Sequence, residues 1–238
     1  GFELFSQRNA AAVMKPAIDR YLAQLASQPP RLGNPASHSI ELPKVLHIGA
    51  GTAWNFTYCN IDANAQFAPD LPIDISQPIP FDQDLHSWRF GHTALKRGHF
   101  EKIIAKHVFQ HVPNLKQALT NCLDLLADGG TVEIVVPLDM SLDSWSGIDD
   151  RRAFNEKTWG RLIDDWWQYG WLTHRFEIAE TGFGLHNEHG MHVLNDNGHD
   201  WEAAMRSPRA IDSMTVVLRK RALTVEESTQ LPQVRFLD

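Results

Sequence analysis

The chain has few basic residues and no long apolar run. Lys and Arg number 22 against 29 Asp and Glu, a formal net charge of −7. No basic block stands anywhere, and the short run Arg219-Lys-Arg221 ends an apolar segment and reads as a solvated strand end. Nucleic-acid and anionic-membrane surfaces need a basic patch, so no nucleic-acid partner is expected. No apolar run approaches the ~18 residues of a membrane span, and no apolar signal core is present, so neither a span nor secretion is expected. Cysteine is scarce. Cys59 and Cys122 lie far apart in apolar segments, outside any Cys-x-x-Cys pair, which suits two core residues in a reducing, cytoplasmic setting.

What remains is an acidic chain of 238 residues, 43% hydrophobic, enough for one full domain with a core and some decoration. Residues 1–40 read as a helical lead-in (1–28) followed by a Pro-, Gly- and Ser-rich linker. Strands are expected at 42–48, 56–61, around Ile73, 100–106, 131–136, 171–179 and 211–218, the last two as antiparallel neighbours. Helices are expected at 114–126 and 155–168, the first stopped by Asp128-Gly-Gly130. Strand, helix and strand alternate, so the fold class is α/β: a Rossmann-like, doubly wound sheet of about seven strands, mostly parallel with one antiparallel strand. The core domain is expected over 41–221, and a polar, mobile tail over 222–238.

The densest signal is Lys44-Val-Leu-His-Ile-Gly-Ala-Gly51 followed by Asp62 in Asn60-Ile-Asp-Ala-Asn64. An apolar run ending in Gly-x-Gly, then a second ending in a carboxylate, is how a parallel sheet grips a nucleotide-like cofactor. Trp54 stands where a dinucleotide fold has its third glycine. The phosphate loop Gly-x-x-x-x-Gly-Lys-Ser/Thr and the Tyr-x-x-x-Lys relay of short-chain dehydrogenases are both absent. A nicotinamide-dependent oxidoreductase is therefore disfavoured. A cofactor without a pyrophosphate fits better, and S-adenosylmethionine is the natural candidate.

With these residues in view, the chain resembles the class I S-adenosylmethionine-dependent methyltransferases, in particular a compact, type 11-like subgroup. The resemblance runs from about Lys44 to Pro137. It is carried by Val45-Leu-His-Ile-Gly-Ala-Gly51, Cys59-Asn-Ile-Asp62, Pro69 to Phe81, Phe100 to Val112 and Leu125 to Pro137 in that order. It implies that the backbone of Gly49, Ala50 and Gly51 packs on the methionine part of the cofactor and that Asp62 accepts from the ribose hydroxyls. Asp74 or Ile75 would sit beside the adenine, and Lys106 and His107 near the reactive methyl. Two departures are visible. His47 replaces the usual acidic residue of the first motif and is carried as a cofactor residue in its place. The stretch from Gly51 to Asp62 is too short for the usual helix, so a shortened helix and a more open pocket are expected. Gln110 stands where the family often has glutamate.

Each residue also has a plainer reading. Asp62 could cap a turn, Asp74 could be a loop carboxylate, and His111 is better read as a core or surface histidine bonded to backbone than as a catalytic one. In Gly184-Leu-His-Asn-Glu-His-Gly-Met-His192, the histidines 186, 189 and 192 recur every third residue. The glycines argue against a helix aligning them, so no metal site is assigned. The favoured functional reading is a loop over the substrate, with a catalytic base among His107, His186 and His189 and with His192 binding substrate. Tryptophans crowd the region after the fifth strand. They could wall an acceptor or face a partner subunit in a homodimer; packing explains most of them, and Trp145 is the one assigned to substrate.

The expected function is transfer of a methyl group from S-adenosylmethionine, leaving S-adenosylhomocysteine, to a hydroxyl (or amine) of a small molecule or glycan. The alternative is a methyltransferase-like scaffold or binding subunit without turnover, motivated by His47, Gln110 and the short first connection.

Overall fold

The computed structural model describes residues 41–229. The chain falls into two compact units, 1–38 and 39–238, and everything below concerns the second. The expected lead-in helix and linker, and the tail beyond 229, lie outside the described residues.

Among the described residues, nine strands and five helices follow in order: β1 (Val45–Ile48), β2 (Cys59–Asp62), β3 (Leu71–Pro72), β4 (Leu85–Ser87), β5 (Gly91–Thr93), β6 (Phe100–Lys106), α1 (Leu115–Leu125), β7 (Leu126–Pro137), α2 (Glu156–Asp164), β8 (His174–Leu185), α3 (Asn187–Asp196), α4 (Trp201–Arg206), β9 (Ile211–Ala222) and α5 (Val225–Thr229). Seven strands form one sheet in the order β3-β2-β1-β6-β7-β9-β8, and β4 and β5 form a separate hairpin. All neighbours are parallel except β9, which runs against both β7 and β8. The expected architecture, with one antiparallel strand and the last two strands adjacent, is the one observed.

Period-two patterning builds this sheet. Register places Leu46 beside Cys59 and Ile103, Ile103 beside Val132, and Val132 beside Leu218. These side chains, with Ile48, Ile61, Ala105, Ile134 and Val216, are buried on one face. Helix α1 covers it with Ala118, Leu119, Cys122, Leu123 and Leu125, and each fully buried Leu contributes about 1.5–3 kcal/mol. Asn114 starts α1 by accepting a hydrogen bond from the Gln117 backbone (3.1 Å). On α2, Trp159 stacks on Phe154 at 5.4 Å. The alternate face of the central strands carries polar residues, with Glu133 paired to Lys102 at 2.6 Å. Cys59 and Cys122 are free and buried, and burial pushes both thiols up to about 12, so neither is a nucleophile near neutral pH.

Four expectations are corrected. No helix, not even a shortened one, follows β1: residues 49–58 are turn and loop. Parallel pairing makes this segment return to the start of β2, about 13 Å back at the rise of a strand, which leaves no length for a helix. Its carbonyls find other donors. The Arg89 guanidinium, held by Asp70 through Nε (2.7 Å) and Nη2 (2.6 Å), donates to the carbonyls of Phe56 and Tyr58. Asn60 Nδ2 donates to those of Asn55 (2.9 Å) and Tyr58 (3.2 Å). Second, Gly129 and Gly130 do not cap α1. That helix ends at Leu126 in extended geometry, and β7 starts there. Gly130 instead allows close approach, since a Cβ would lie 2.9 Å from the Ala127 carbonyl oxygen and 3.1 Å from that of Glu101. Third, the 155–168 helix is α2 alone, followed by a 3-10 turn at Trp166–Tyr169 that closes on Gly170 in left-handed geometry. Fourth, the segment after Ala222 begins as α5, tied down by Glu227. Its carboxylate accepts from Arg221 (2.7 Å), Arg175 (2.8 Å) and the Thr224 backbone (2.9 Å).

Two tests follow. Arg89→Met leaves the buried Asp70 carboxylate unpaired, and urea unfolding should show a loss of about 3–5 kcal/mol. Hydrogen bonds from Arg221, foremost, hold the Glu227 carboxyl at about 2, below its ordinary 4.5. A depressed carboxyl stabilises the fold above 4.5, and that contribution drains away as pH falls toward 2. Glu227→Gln should lower Tm at pH 7, with the gap to the unmodified chain narrowing below pH 4.

Candidate functional site

The parallel strands all end at one edge, and the connections from β1 and β6 leave it in opposite directions, toward β2 and toward β7. An open sheet binds ligands at such a switch point. A cleft of about 350 Å³ lies there, lined by Ile48, Gly49 and Gly51 after β1, Asp62 and Phe67 after β2, Asp74 and Ile75 after β3, and His107, Val108 and His111 after β6, among others.

Backbone conformation makes the glycine turn. Gly49 has φ +63°, and a Cβ there would meet Val108 Cγ2 at 2.4 Å; Gly51 has φ +48°. Both angles favour glycine. The Gly49 amide donates to the Ile61 carbonyl (2.9 Å), and the Gly51 amide to Asp62 Oδ2 (2.9 Å). Asp62 Oδ1 accepts from the Asn64 amide (2.8 Å). One backbone donor per oxygen orients the carboxylate and leaves lone pairs for further donors. Asp74 is similarly fixed, its Oδ1 accepting from the Ser76 amide (2.8 Å). His107 sits in left-handed geometry (φ +55°) straight after β6, with its amide donating to the Val135 carbonyl (2.8 Å). A non-glycine residue held this way often marks function.

Thus Gly49, Gly51, Asp62, Asp74, Ile75 and His107 converge on one cleft. Ala50, His47 and Lys106 are not among its lining residues. Ala50 is buried, and Lys106 lies on the sheet face 3.7 Å from Glu133. His47 is buried beneath the turn, edge-on to Tyr58 at 6.5 Å, and its Nδ1 has no hydrogen-bond partner among the described residues. Burial, above all, lowers its pKa from 6.5, so the ring is neutral at pH 7. His111 lines the cleft with its Nδ1 3.1 Å from Asp150, whose side chain is 4% exposed. Its partner is a carboxylate rather than backbone, and Asp150, remote in sequence, carried no local signal.

The 184–192 segment departs from expectation. It is not a loop: His186 caps α3, while His189 and His192 lie on the helix and are exposed. Gly190 is inside α3 because a Cβ there would come within 2.2 Å of the Ala210 carbonyl oxygen, so the glycine permits contact rather than breaking the helix. His186 Nδ1 bonds Asp212 Oδ1 at 2.7 Å. Among the described residues no group of His, Cys, Asp and Glu could hold a metal. Trp159, Trp166 and Trp171 are buried packing residues, and Trp145 is 62% exposed on the segment that follows β7.

The cleft suits a group with a hydroxylated, partly apolar body. Asp62 offers lone pairs, Ile73, Ile75 and Phe67 offer apolar walls, and the Gly49–Gly51 backbone allows close approach. An acceptor carboxylate beside apolar walls is the pattern that suits a hydroxylated sugar joined to a flat base. Because protonating buried His47 works against the fold, stability should decline as pH falls below 6.5 toward the depressed value. His47→Gln should flatten that part of the Tm–pH curve relative to the unmodified chain.

A family model described as a methyltransferase domain matches residues 6–182. No curated protein matches the chain. Among solved structures, an S-adenosylmethionine-dependent methyltransferase from Mesorhizobium loti is 10% identical, with 84% of this chain and 97% of that one covered and a TM-score of 0.46. A SAM-dependent methyltransferase from Archaeoglobus fulgidus is 13% identical, with 87% and 93% covered and a TM-score of 0.45. The cyclase SpnF is 12% identical, with 87% and 82% covered and a TM-score of 0.46.

Proposed function

The chain belongs to the methyltransferase-domain family, as a class I S-adenosylmethionine-dependent methyltransferase, and we propose that it methylates a hydroxyl oxygen of a small molecule or glycan. The observation that carries the site is the Gly51 amide bonded to Asp62 Oδ2 within the cleft, which joins the glycine turn to the ribose-binding carboxylate. In this reading Asp62 accepts from ribose hydroxyls, Asp74 and Ile75 flank the adenine, and the Gly49–Gly51 backbone holds the methionine portion.

When bound, S-adenosylmethionine supplies a sulfonium methyl that is already activated for displacement. The residues at the sheet edge then have to place an acceptor oxygen about 3 Å from it, aligned, and receive one proton. His107 stands at the boundary between cofactor and acceptor. In this reading Trp145 and the histidines 186, 189 and 192 are assigned to the acceptor. The chain's negative charge speaks against nucleic-acid acceptors, and no described helix is long and apolar enough to cross a membrane. An amine acceptor is the runner-up. A scaffold without turnover draws its support from His47, which stands buried under the turn where a carboxylate would otherwise be.

Calorimetric titration with S-adenosylhomocysteine tests this. Micromolar binding is expected, with Asp62→Ala weakening it by about 10- to 100-fold, the worth of charge-assisted hydrogen bonds of about 1.5–3 kcal/mol. No binding by the unmodified chain would make the scaffold reading the correct one.

A further inference from the structure

We propose that the methyl acceptor carries an extended apolar body, and that this body lies on the loop 139–151 with its hydroxyl end entering the cleft beside His111. The assignment rests on the methyltransferase reading above. It narrows the acceptor from a small molecule or glycan to a hydroxylated molecule with an alkyl or aryl tail.

The loop presents an apolar face to solvent. Within nine positions Met140 is 40% exposed, Leu142 51%, Trp145 62% and Ile148 100%. Single exposed apolar side chains are ordinary, whereas a group of them marks a binding surface. Leu142 and Trp145 begin and end a 3-10 turn. At three residues per turn, positions three apart lie over one another, so these two share a side, while Ser144 is buried. The loop is closed at its base, where the Asp139 amide donates to the Phe154 carbonyl (2.8 Å). The Met140 carbonyl accepts from the Arg209 amide (3.1 Å), and Asp150 Oδ2 accepts from the Gly147 amide (2.6 Å). A face fixed in this way costs little ordering when a ligand lands on it.

Contact joins the far end of the loop to the cleft. Asp150 Oδ1 lies 3.1 Å from Nδ1 of His111, and the Arg151 amide donates to the Gln110 carbonyl (2.8 Å). His111 lines the cleft, and Ile148 stands two residues before Asp150. The loop therefore runs from the end of β7 to the cleft wall. In the sheet, β6 and β7 lie on the other side of β1 from β2 and β3. A molecule on the loop thus meets the cleft from the side opposite Asp62 and Asp74, the residues assigned to ribose and adenine.

Chemistry of the face sets the class of molecule. Leu142 and Ile148 have no donor or acceptor for sugar hydroxyls. Asp143 and Asp149 are exposed beside them, and residues 139–150 contain no Lys or Arg, so an anionic tail is repelled. Four side chains expose roughly a few hundred Å², short of the about 800 Å² per partner in a stable protein interface. A small apolar molecule is the occupant that matches in both size and polarity.

Calorimetry on the full chain saturated with S-adenosylhomocysteine tests this, with 4-alkylphenols from methyl to hexyl as probes and maltotriose as the sugar control. Kd is expected to fall about threefold per added methylene. Leu142→Ser and Ile148→Ser should each weaken the hexyl compound by about tenfold and flatten the chain-length dependence. Both should leave the Kd for S-adenosylhomocysteine within about twofold and Tm unchanged, since both side chains are exposed. Affinity independent of chain length, an unaltered dependence in both variants, or tighter binding of maltotriose than of any alkylphenol overturns the assignment while cofactor binding stands. A dimer in sedimentation velocity that Ile148→Ser dissociates also overturns it, because the face then belongs to an interface between copies. A chain that binds no S-adenosylhomocysteine overturns the methyltransferase reading and this assignment with it.

Discussion

The Asp70–Arg89 ion pair is what allows this sheet edge to exist in its shortened form. Both side chains are almost wholly buried, at 0% and 8% exposure, and a buried pair is justified only when every remaining donor and acceptor is satisfied. Here the guanidinium makes four hydrogen bonds, two to the carboxylate and two to loop carbonyls. Asp70 also accepts from the backbone and side chain of Asn60, and Arg89 supplies the loop carbonyls that a helix would have satisfied internally. Trp54 packs beside Arg89, with the guanidinium 5.8 Å from its ring centre. The connection from β1 to β2 is thereby rigid without being helical.

That rigidity passes directly to the cleft. Asn60, gripped by Asp70, lies two residues before Asp62, and the backbone of Ile61 between them receives the Gly49 amide. The glycine turn is thus held from below by β2 and from the side by the Asp62 carboxylate. Val108, pressed against Gly49, closes it from β6. Two strands, β2 and β6, hold the turn that ends β1, which is the preorganisation a cofactor site needs if binding is not to be spent on ordering loops.

The opposite end of the sheet uses the same device. Gly190 and Gly184 bring α3 and β8 against the start of β9 so closely that no Cβ fits, and the result is a histidine and a carboxylate facing each other across 26 positions of sequence. In the sequence these glycines look like helix breakers. Their real constraint is tertiary contact, which a local propensity argument cannot register. Gly130 teaches the same lesson, since it looks like part of a helix cap and in fact permits the approach of β6 to β7.

Local patterning was sufficient for the strand order of chemistry along the chain. Alternating apolar positions marked β1, β2, β6, β7 and β9, the Asn114 cap and apolar stripe marked α1, and Gly-x-Gly followed by Asp62 marked the cleft, because each of these signals is written within a dozen residues. Strands as short as β4 and β5, and a helix such as α3 with glycine inside, carried too little local signal. Pairings between distant residues were beyond reach: Asp70 with Arg89, His111 with Asp150, His186 with Asp212. A single sequence records which side chains are available, whereas only the packed chain decides which of them share a desolvated contact, since that depends on strand register and on where a missing Cβ lets two backbones meet.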